Sequence, residues 1–234
     1  MILLQVPAHI TIIWVGIFYE VNMKHNFDIK RGCIVYKDGG KVVLFDTGCV
    51  RTISVEQDVQ GEIFPKVHKF VDPTVDQILG MDLITQQVFI DYPKKELVCG
   101  EETKIASPIA KYDLDVVAFG LLTVSLNIGG QKRKMLLDTG AATSYLLEKY
   151  AILGKPAGEI DDFYVEEPNL FKTKVFSLST ECGNGMDSIN YGLPTKRIER
   201  TINVLHVDGI IGYEWLRRFK VLLDVPNRCL TLGI

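Results

Sequence analysis

The chain has 234 residues, of which 26 are Lys or Arg and 29 are Asp or Glu, giving a net charge of −3. This balance, without a basic stripe, gives no signal for nucleic-acid binding, while 47% hydrophobic residues can fill the cores of about two domains of 100 residues. The cysteines are odd in number and fall mostly in strand-like runs, which favours a reducing, cytoplasmic location over a disulfide framework. They are Cys33, Cys49, Cys99, Cys182 and Cys229.

The N-terminal segment, residues 1–19, is mostly apolar, but Gln5, Pro7 and His9 interrupt it and the first basic residue is Lys24. A signal peptide begins with a positively charged region, and a membrane-spanning helix needs about 18–20 apolar residues in a row. The segment therefore favours β-strands, with membrane association as the alternative.

In the first half, two strand-like runs at 33–37 and 41–45 are separated by Asp-Gly-Gly at 38–40, which predicts a β-hairpin. The second run leads directly into Asp-Thr-Gly at 46–48. A further signature, Val-Asp-Gln-Ile-Leu-Gly, follows at 75–80.

The second half repeats this order. Runs at 122–128 and 131–137 flank a Gly-Gly pair, Asp-Thr-Gly follows at 138–140, and Val-Asp-Gly-Ile-Ile-Gly follows at 207–212. One Asp-Thr-Gly is expected by chance in about one chain of this length in twenty. Two copies in matching contexts predict an internal duplication.

Because each Asp-Thr-Gly follows an apolar run and precedes an apolar-apolar-Gly segment, the chain resembles the aspartic peptidases, which include the pepsin-like and retropepsin-like enzymes. The resemblance covers about residues 28–99 and 118–233. It implies a mainly β, two-lobed acid-protease fold that is pseudo-twofold symmetric and has short helices. Residues 1–102 would form the first lobe and 113–234 the second, as two fused retropepsin-like lobes in a monomeric pseudodimer.

The resemblance assigns the catalytic role to Asp46 and Asp138. Two carboxylates about 3 Å apart cannot ionise together, so they share one proton and can act as base and acid in amide hydrolysis. The proton belongs to the pair, and neither residue is assigned it alone.

Four further residues support the dyad by resemblance. Thr47 and Thr139 would hydrogen-bond across the lobe boundary. Gly48 and Gly140 would let each turn pass close beneath the carboxylates, where a Cβ would collide.

The residue after each Asp-Thr-Gly departs from the family pattern, which places a Ser or Ala there. In the family a Ser at this position donates a hydrogen bond to the catalytic carboxylate. Cys49 and Ala141 lack that hydroxyl, so the carboxylates should titrate higher and the pH optimum should lie closer to neutral than in gastric-type enzymes. Cys49 is interpreted as a small buried residue, with a redox-sensitive thiol as the alternative.

The two halves differ in length between their signatures. Asp46 and Gly80 are 34 positions apart, whereas Asp138 and Gly212 are 74 apart, so only the second half has room for a flap that closes over substrate. The predicted flap is 162–171. Its substrate-facing residues are Tyr164, Val165, Glu166 and Glu167, and the Gly-rich stretch at 181–186 is the competing candidate.

Several local elements are also predicted. Short helices are expected at 81–87 and 213–219, directly after the repeated glycines, and another at 144–150. The linker between the lobes is expected at 100–113.

Two other interpretations of the motif fit the sequence less well. A lone Asp-Thr-Gly at a strand end is usually a turn. Here both copies are followed by a matching apolar-apolar-Gly signature, so a turn alone is a weak interpretation. The first copy also resembles the opening of metallo-β-lactamase-fold hydrolases, which need a His-rich cluster. His9, His25, His68 and His206 are too dispersed, so no metal and no cofactor are predicted.

The preferred function is therefore an aspartic-type endopeptidase that hydrolyses extended peptides with apolar residues near the scissile bond. One alternative is a peptide-binding module of the same fold that has lost turnover. Another is a homodimeric enzyme in which only Asp138 is catalytic and Asp46 is structural. A peptide or protein substrate is the expected partner.

Overall fold

The computed structural model describes residues 23–100 and 103–234, so the predicted N-terminal strands in residues 1–19 lie outside the described residues. The elements of the first half are seven strands and one α-helix. They are β1 (Met23–Lys30), β2 (Cys33–Asp38), β3 (Lys41–Phe45), β4 (Ile53–Ser54), α1 (Phe64–Phe70), β5 (Gln77–Leu79), β6 (Gln87–Asp91) and β7 (Glu96–Cys99).

The second half is longer and contains the remaining strands and helices of the described chain. They are β8 (Pro108–Val116), β9 (Leu122–Ile128), β10 (Gln131–Leu137), β11 (Ser144–Leu146), α2 (Glu148–Ala151), β12 (Lys155–Asp162), β13 (Phe171–Cys182), β14 (Gly185–Gly192), α3 (Lys196–Val204), β15 (Gly209–Ile211), α4 (Tyr213–Leu216), β16 (Lys220–Asp224) and β17 (Cys229–Gly233). The expected mainly β architecture with short helices is confirmed.

The duplicated signatures fold with the same strand pairing. In the first half, β3 pairs antiparallel with β2 and parallel with β5, and β5 pairs antiparallel with β4. In the second half, β10 pairs in the same way with β9 and β15, and β15 pairs with β11. Each half therefore presents its Asp-Thr-Gly from an equivalent strand end.

A six-stranded antiparallel sheet joins the halves in the order β1, β7, β6, β16, β17, β8. At its centre Phe89 of β6 pairs with Leu222 of β16, and these two residues occupy matching places in the repeat. Gln87 likewise pairs with Asp224, while Asp91 pairs with Lys220. An antiparallel pair has local twofold symmetry, so this register places the pseudo-twofold axis between β6 and β16.

The apolar side chains form one large cluster and a smaller one confined mainly to the first half. Successive strand residues point to opposite faces, so Ile34 and Tyr36 of β2 enter the large cluster while Cys33 and Val35 enter the small one. The small cluster contains one buried residue from the second half, Val165.

Three of the predicted local elements need correction. Residues 81–83 form a single turn, in which the Leu83 and Ile84 amides bond to the Gly80 carbonyl, and β6 already begins at Gln87. The helix predicted at 213–219 ends at Leu216, since the chain enters β16 at Lys220. Residues 144–150 begin as β11, and only their end enters α2.

The linker prediction at 100–113 was wrong in its second part, because β8 begins at Pro108 and pairs with both β17 and β9. Two helices, α1 and α3, were not predicted. α3 carried a recognisable signal, with Thr195 as N-cap and Ile198, Ile202 and Leu205 spaced along one buried face.

Candidate active site

Each candidate catalytic aspartate stands at the end of a buried strand and is held by the strand beside it. The Asp46 amide donates to the Leu79 carbonyl (3.0 Å) at the end of β5, and the Asp138 amide donates to the Ile211 carbonyl (3.0 Å) at the end of β15. Each carboxylate also accepts a hydrogen bond within its own turn, from the Gly48 amide to Asp46 Oδ1 (2.8 Å) and from the Gly140 amide to Asp138 Oδ1 (2.9 Å). Both side chains are therefore fixed by backbone geometry.

The two loops are joined through their threonines. The Thr47 amide donates to Thr139 Oγ1 (3.0 Å), and the Thr139 amide donates to Thr47 Oγ1 (3.0 Å). Each hydroxyl then donates across the boundary to a carbonyl, Thr47 to Leu137 (3.0 Å) and Thr139 to Phe45 (3.2 Å). All four bonds are buried and link the halves, so the position of one aspartate fixes the position of the other.

The glycines of the two loops allow the carboxyl groups to meet. A Cβ added to Gly48 would lie 2.4 Å from Cγ of Asp138, and a Cβ added to Gly140 would lie 2.4 Å from Cγ of Asp46. Each carboxyl group thus rests directly on the opposite loop. Any side chain at either glycine would push the aspartates away from the boundary.

Burial and proximity change the titration of this pair. Asp46 is 3% exposed and Asp138 is fully buried. Burial raises the pKa of Asp46 to about 7, and the charge of Asp138 and its hydrogen bond to Asp46 act in the same direction, while the Gly48 amide opposes them. The pair therefore retains a proton up to neutral pH.

Within each half, a further hydrogen bond joins the loop after Asp-Thr-Gly to the later apolar-apolar-Gly signature. Thr52 Oγ1 accepts from the Gly80 amide (3.0 Å), and Ser144 Oγ accepts from the Gly212 amide (3.1 Å). The sequence showed a hydroxyl residue after each Asp-Thr-Gly and a glycine in each later signature. Only the folded structure shows that this hydroxyl group and this glycine bond directly to each other.

Two cysteines lie close to the dyad. Cys49 Sγ donates to the Arg51 carbonyl (3.0 Å), and burial raises its thiol pKa. Cys33 Sγ donates to the Gly140 carbonyl (3.4 Å), and burial followed by the charge of Asp46 raises its pKa to about 12. Both side chains are small buried neutral groups at neutral pH. No motif in the sequence indicated that Cys33 would lie here.

The segment predicted as the flap connects β12 to β13, which pair antiparallel up to Asp162 and Phe171. Tyr164 and Val165 are buried, and Glu166 and Glu167 are half-buried at the outer side of the connection. The competing stretch at 181–186 is the turn between β13 and β14. It lies away from the dyad, against Ile109, Tyr112 and Trp215.

The space beside Asp46 is small. A cavity of about 30 Å³ is bounded by residues of both halves. They are Cys33, Leu44, Asp46, Val67, Val71, Ile78, Gly140, Phe163, Tyr164 and Val165.

Within residues 23–100 and 103–234, no three His, Cys, Asp or Glu side chains are grouped so that they could hold a metal ion. In the same ranges, no helix has both the length and the apolar character needed to cross a membrane.

A scan against protein-family models finds no match, and a search of curated proteins finds none either. Among solved structures, the chain is similar to an aspartic proteinase from Irpex lacteus, with a TM-score of 0.51 and 12% identity over 90% of this chain and 96% of that one. The fold is pepsin-like. At this identity the similarity shows the fold alone, and a function must be argued from the site.

Two smaller proteins match about half of the chain. A retropepsin-like aspartic protease from Rickettsia conorii aligns with a TM-score of 0.37 and 19% identity, covering 52% of this chain and 87% of that one. The retroviral protease-like domain of Ddi1 from Leishmania major aligns with a TM-score of 0.33 and 17% identity, covering 48% and 88%.

Proposed function

We propose that the protein is an aspartic-type endopeptidase in which Asp46 and Asp138 share one proton and activate a water molecule. The observation that carries this proposal is the mutual contact of the two loops. Each buried carboxyl group lies against the glycine of the opposite loop, and the two threonines bond reciprocally. Two carboxyl groups held this way supply a base and an acid at the same point.

In the proposed reaction, the ionised carboxylate of the pair takes a proton from water as the water oxygen attacks the peptide carbonyl carbon. The protonated carboxyl group gives its proton to the carbonyl oxygen. The tetrahedral intermediate then collapses: one of its hydroxyl groups returns a proton to the pair as the carbonyl re-forms, the C–N bond breaks, and the departing nitrogen receives a proton from the pair. Because both carboxyl groups begin the cycle with one shared proton, they end it in the same state.

The proposed substrate is an extended peptide with apolar residues beside the scissile bond. Leu44, Val67 and Ile78 line the space next to Asp46, and apolar walls favour apolar side chains because their burial removes them from water. Residues 1–102 and 113–234 are proposed as the two lobes. A dyad completed within one chain favours a monomer over a homodimer.

The test is cleavage of a peptide library between pH 3 and 8, with and without pepstatin, by the full chain and by Asp46→Asn and Asp138→Asn. We expect pepstatin-sensitive cleavage that both substitutions abolish. Activity retained in Asp46→Asn would favour the homodimeric alternative. Saturable binding of pepstatin without any cleavage would favour a peptide-binding module.

A further inference from the structure

The connection between β12 and β13 has an unusual distribution of exposure. The stem strand β12 is exposed along Lys155–Asp161, whereas the connection beyond it buries Tyr164 (3% exposed) and Val165 (6% exposed). A free hairpin tip shows the opposite pattern, because tips extend into solvent. Residues 163–167, called the strap below, are therefore docked against the rest of the molecule.

The first half provides one side of the docking surface. Val165 joins the small apolar cluster that includes Leu44, Val67 and Ile78. Lys66 Nζ of α1 donates to the Val165 carbonyl (2.6 Å). Beside them, Phe163 packs on Phe70 with ring centroids 5.3 Å apart.

The second half anchors the strap from the other side. Tyr145 Oη donates to Asp162 Oδ2 (2.5 Å), which fixes the base of the strap. Tyr164 Oη lies 3.4 Å from Thr201 Oγ1 on α3, and Arg197 of the same helix donates to the Glu166 carbonyl. The strap thus bridges both halves beside Asp46.

The strap leaves no room for a peptide at this point. The cavity between it and Asp46 is about 30 Å³, which holds about two water molecules but no peptide segment. Val165 and Phe163 occupy the apolar walls that a substrate side chain would need. A peptide can reach Asp46 through this cavity only after the strap has moved.

We propose that the strap is an internal pseudo-substrate. In the closed state Val165 fills an apolar subsite beside Asp46, so the site is latent until the strap is displaced. The same subsite prefers a substrate side chain that is small and aliphatic, like valine. This inference rests on the proposed function. An ordinary flap improves substrate binding by closing over it, whereas this strap competes with the substrate, so the two roles predict opposite effects when docking is weakened.

Two substitutions weaken docking without touching Asp46 or Asp138. Val165→Ser removes the apolar contact, and Lys66→Met keeps a long side chain on α1 while removing the bond to the Val165 carbonyl. The matched control is Lys220→Met, which removes a similar bond from Lys220 Nζ to the Ile234 carbonyl (2.7 Å), away from the strap. All variants are compared with the full wild-type chain.

Opening is measured separately from catalysis by labelling Cys33 with N-ethylmaleimide at pH 8 and locating the label by mass spectrometry. Cys33 lines the cavity beneath the strap, and buried Cys229, in the sheet between the halves, serves as an internal control for unfolding. We expect Val165→Ser and Lys66→Met to label at Cys33 about tenfold faster, as for the loss of a single docking contact. Cys229 should label at the wild-type rate in every variant.

Cleavage of peptides with valine near the scissile bond is then measured on the same samples. The inference predicts that kcat/KM rises in both strap variants and stays unchanged in Lys220→Met. Unchanged labelling of Cys33, or faster labelling accompanied by lower kcat/KM, would overturn it. If no sample cleaves peptide, the proposed function fails. In that case pepstatin decides the strap inference. Pepstatin should slow the labelling of Cys33 in Val165→Ser, and an unchanged labelling rate would overturn the inference.

Discussion

Between its fourth and fifth strands the first half carries a single α-helix, α1, whereas the corresponding interval of the second half carries α2, α3 and the strands β12–β14. Outside this interval the two halves repeat each other pair by pair, from the hairpins β2–β3 and β9–β10 to the strands that meet on the pseudo-twofold axis. The repeated part holds the candidate dyad. The part that differs holds the strap.

This division separates two requirements of the site. Two carboxyl groups must meet at a symmetric point, and a duplicated strand-and-loop unit meets that requirement with the same contacts on both sides. A cover over the cleft needs only one segment, so it can come from one half. The first half instead contributes the receiving surface, including Lys66 and Val67 of α1.

The largest expected effect tests whether the two halves are chemically equivalent. Asp46→Asn and Asp138→Asn should each reduce kcat/KM by about 10³-fold or more, because the amide keeps the shape of the side chain but cannot accept the proton of water. The double variant should be no worse than either single variant, since the pair acts as a unit. Steady-state cleavage assays would measure this, with urea unfolding as the control for folding. A strong loss in only one single variant would show that the halves are not equivalent.

The next prediction concerns pH. The pKa of Asp46 in the folded chain is about 7, whereas an unfolded Asp titrates at about 3.9. Between these values the folded state keeps a proton that the unfolded state has released. The stabilisation is therefore complete below about pH 4 and is lost as the pH rises through 7.

Urea unfolding of wild type and Asp46→Asn at several pH values between 4 and 8 isolates this contribution. The difference in the free energy of unfolding between the two proteins should shift steadily across the window and level off above pH 7. Cleavage should decline over the upper part of the same window, because the pair then loses its shared proton. A difference that stays constant from pH 4 to 8 would contradict the raised pKa of Asp46.

A smaller effect is expected at the glycines beneath the carboxyl groups. Gly48→Ala and Gly140→Ala each place a Cβ about 2.4 Å from a carboxyl carbon of the opposite half, so each should destabilise the fold by about 1–3 kcal/mol and lower kcat/KM by less than the aspartate substitutions do. Gly185→Ala is the control, because no atom lies within 4 Å of the added Cβ. Equal losses at Gly48 and Gly140 in urea unfolding would support the symmetry. A neutral result at either would show that its loop can shift.

The parts of the molecule predicted from sequence are those that repeat. The second hairpin was predicted with the bounds it has, Leu122–Ile128 and Gln131–Leu137, because alternation and a Gly-Gly turn are local signals. The docking of Val165 into the other half was not predicted, since it depends on a contact between residues 99 positions apart in sequence, Lys66 and Val165. The helix expected at 81–87 failed because β6 needs Gln87 for its pairing with β16, so tertiary pairing overrode the local pattern.

The smallest expected effect compares the two hydroxyls behind the dyad. Ser144 is fully buried and its Oγ accepts from the Gly212 amide, whereas Thr52 is half-buried and also bonds to Asp82 at the surface. Ser144→Ala should cost about 1–3 kcal/mol, because it leaves a buried amide without its acceptor, and Thr52→Val should cost about 1 kcal/mol, because the bond between Thr52 and the Gly80 amide is only part-buried. Thr52→Ser keeps the hydroxyl and should be close to wild type. Urea unfolding would rank the three variants by their free energy of unfolding. A larger loss of stability for Thr52→Val than for Ser144→Ala would show that burial does not set the difference between these two contacts.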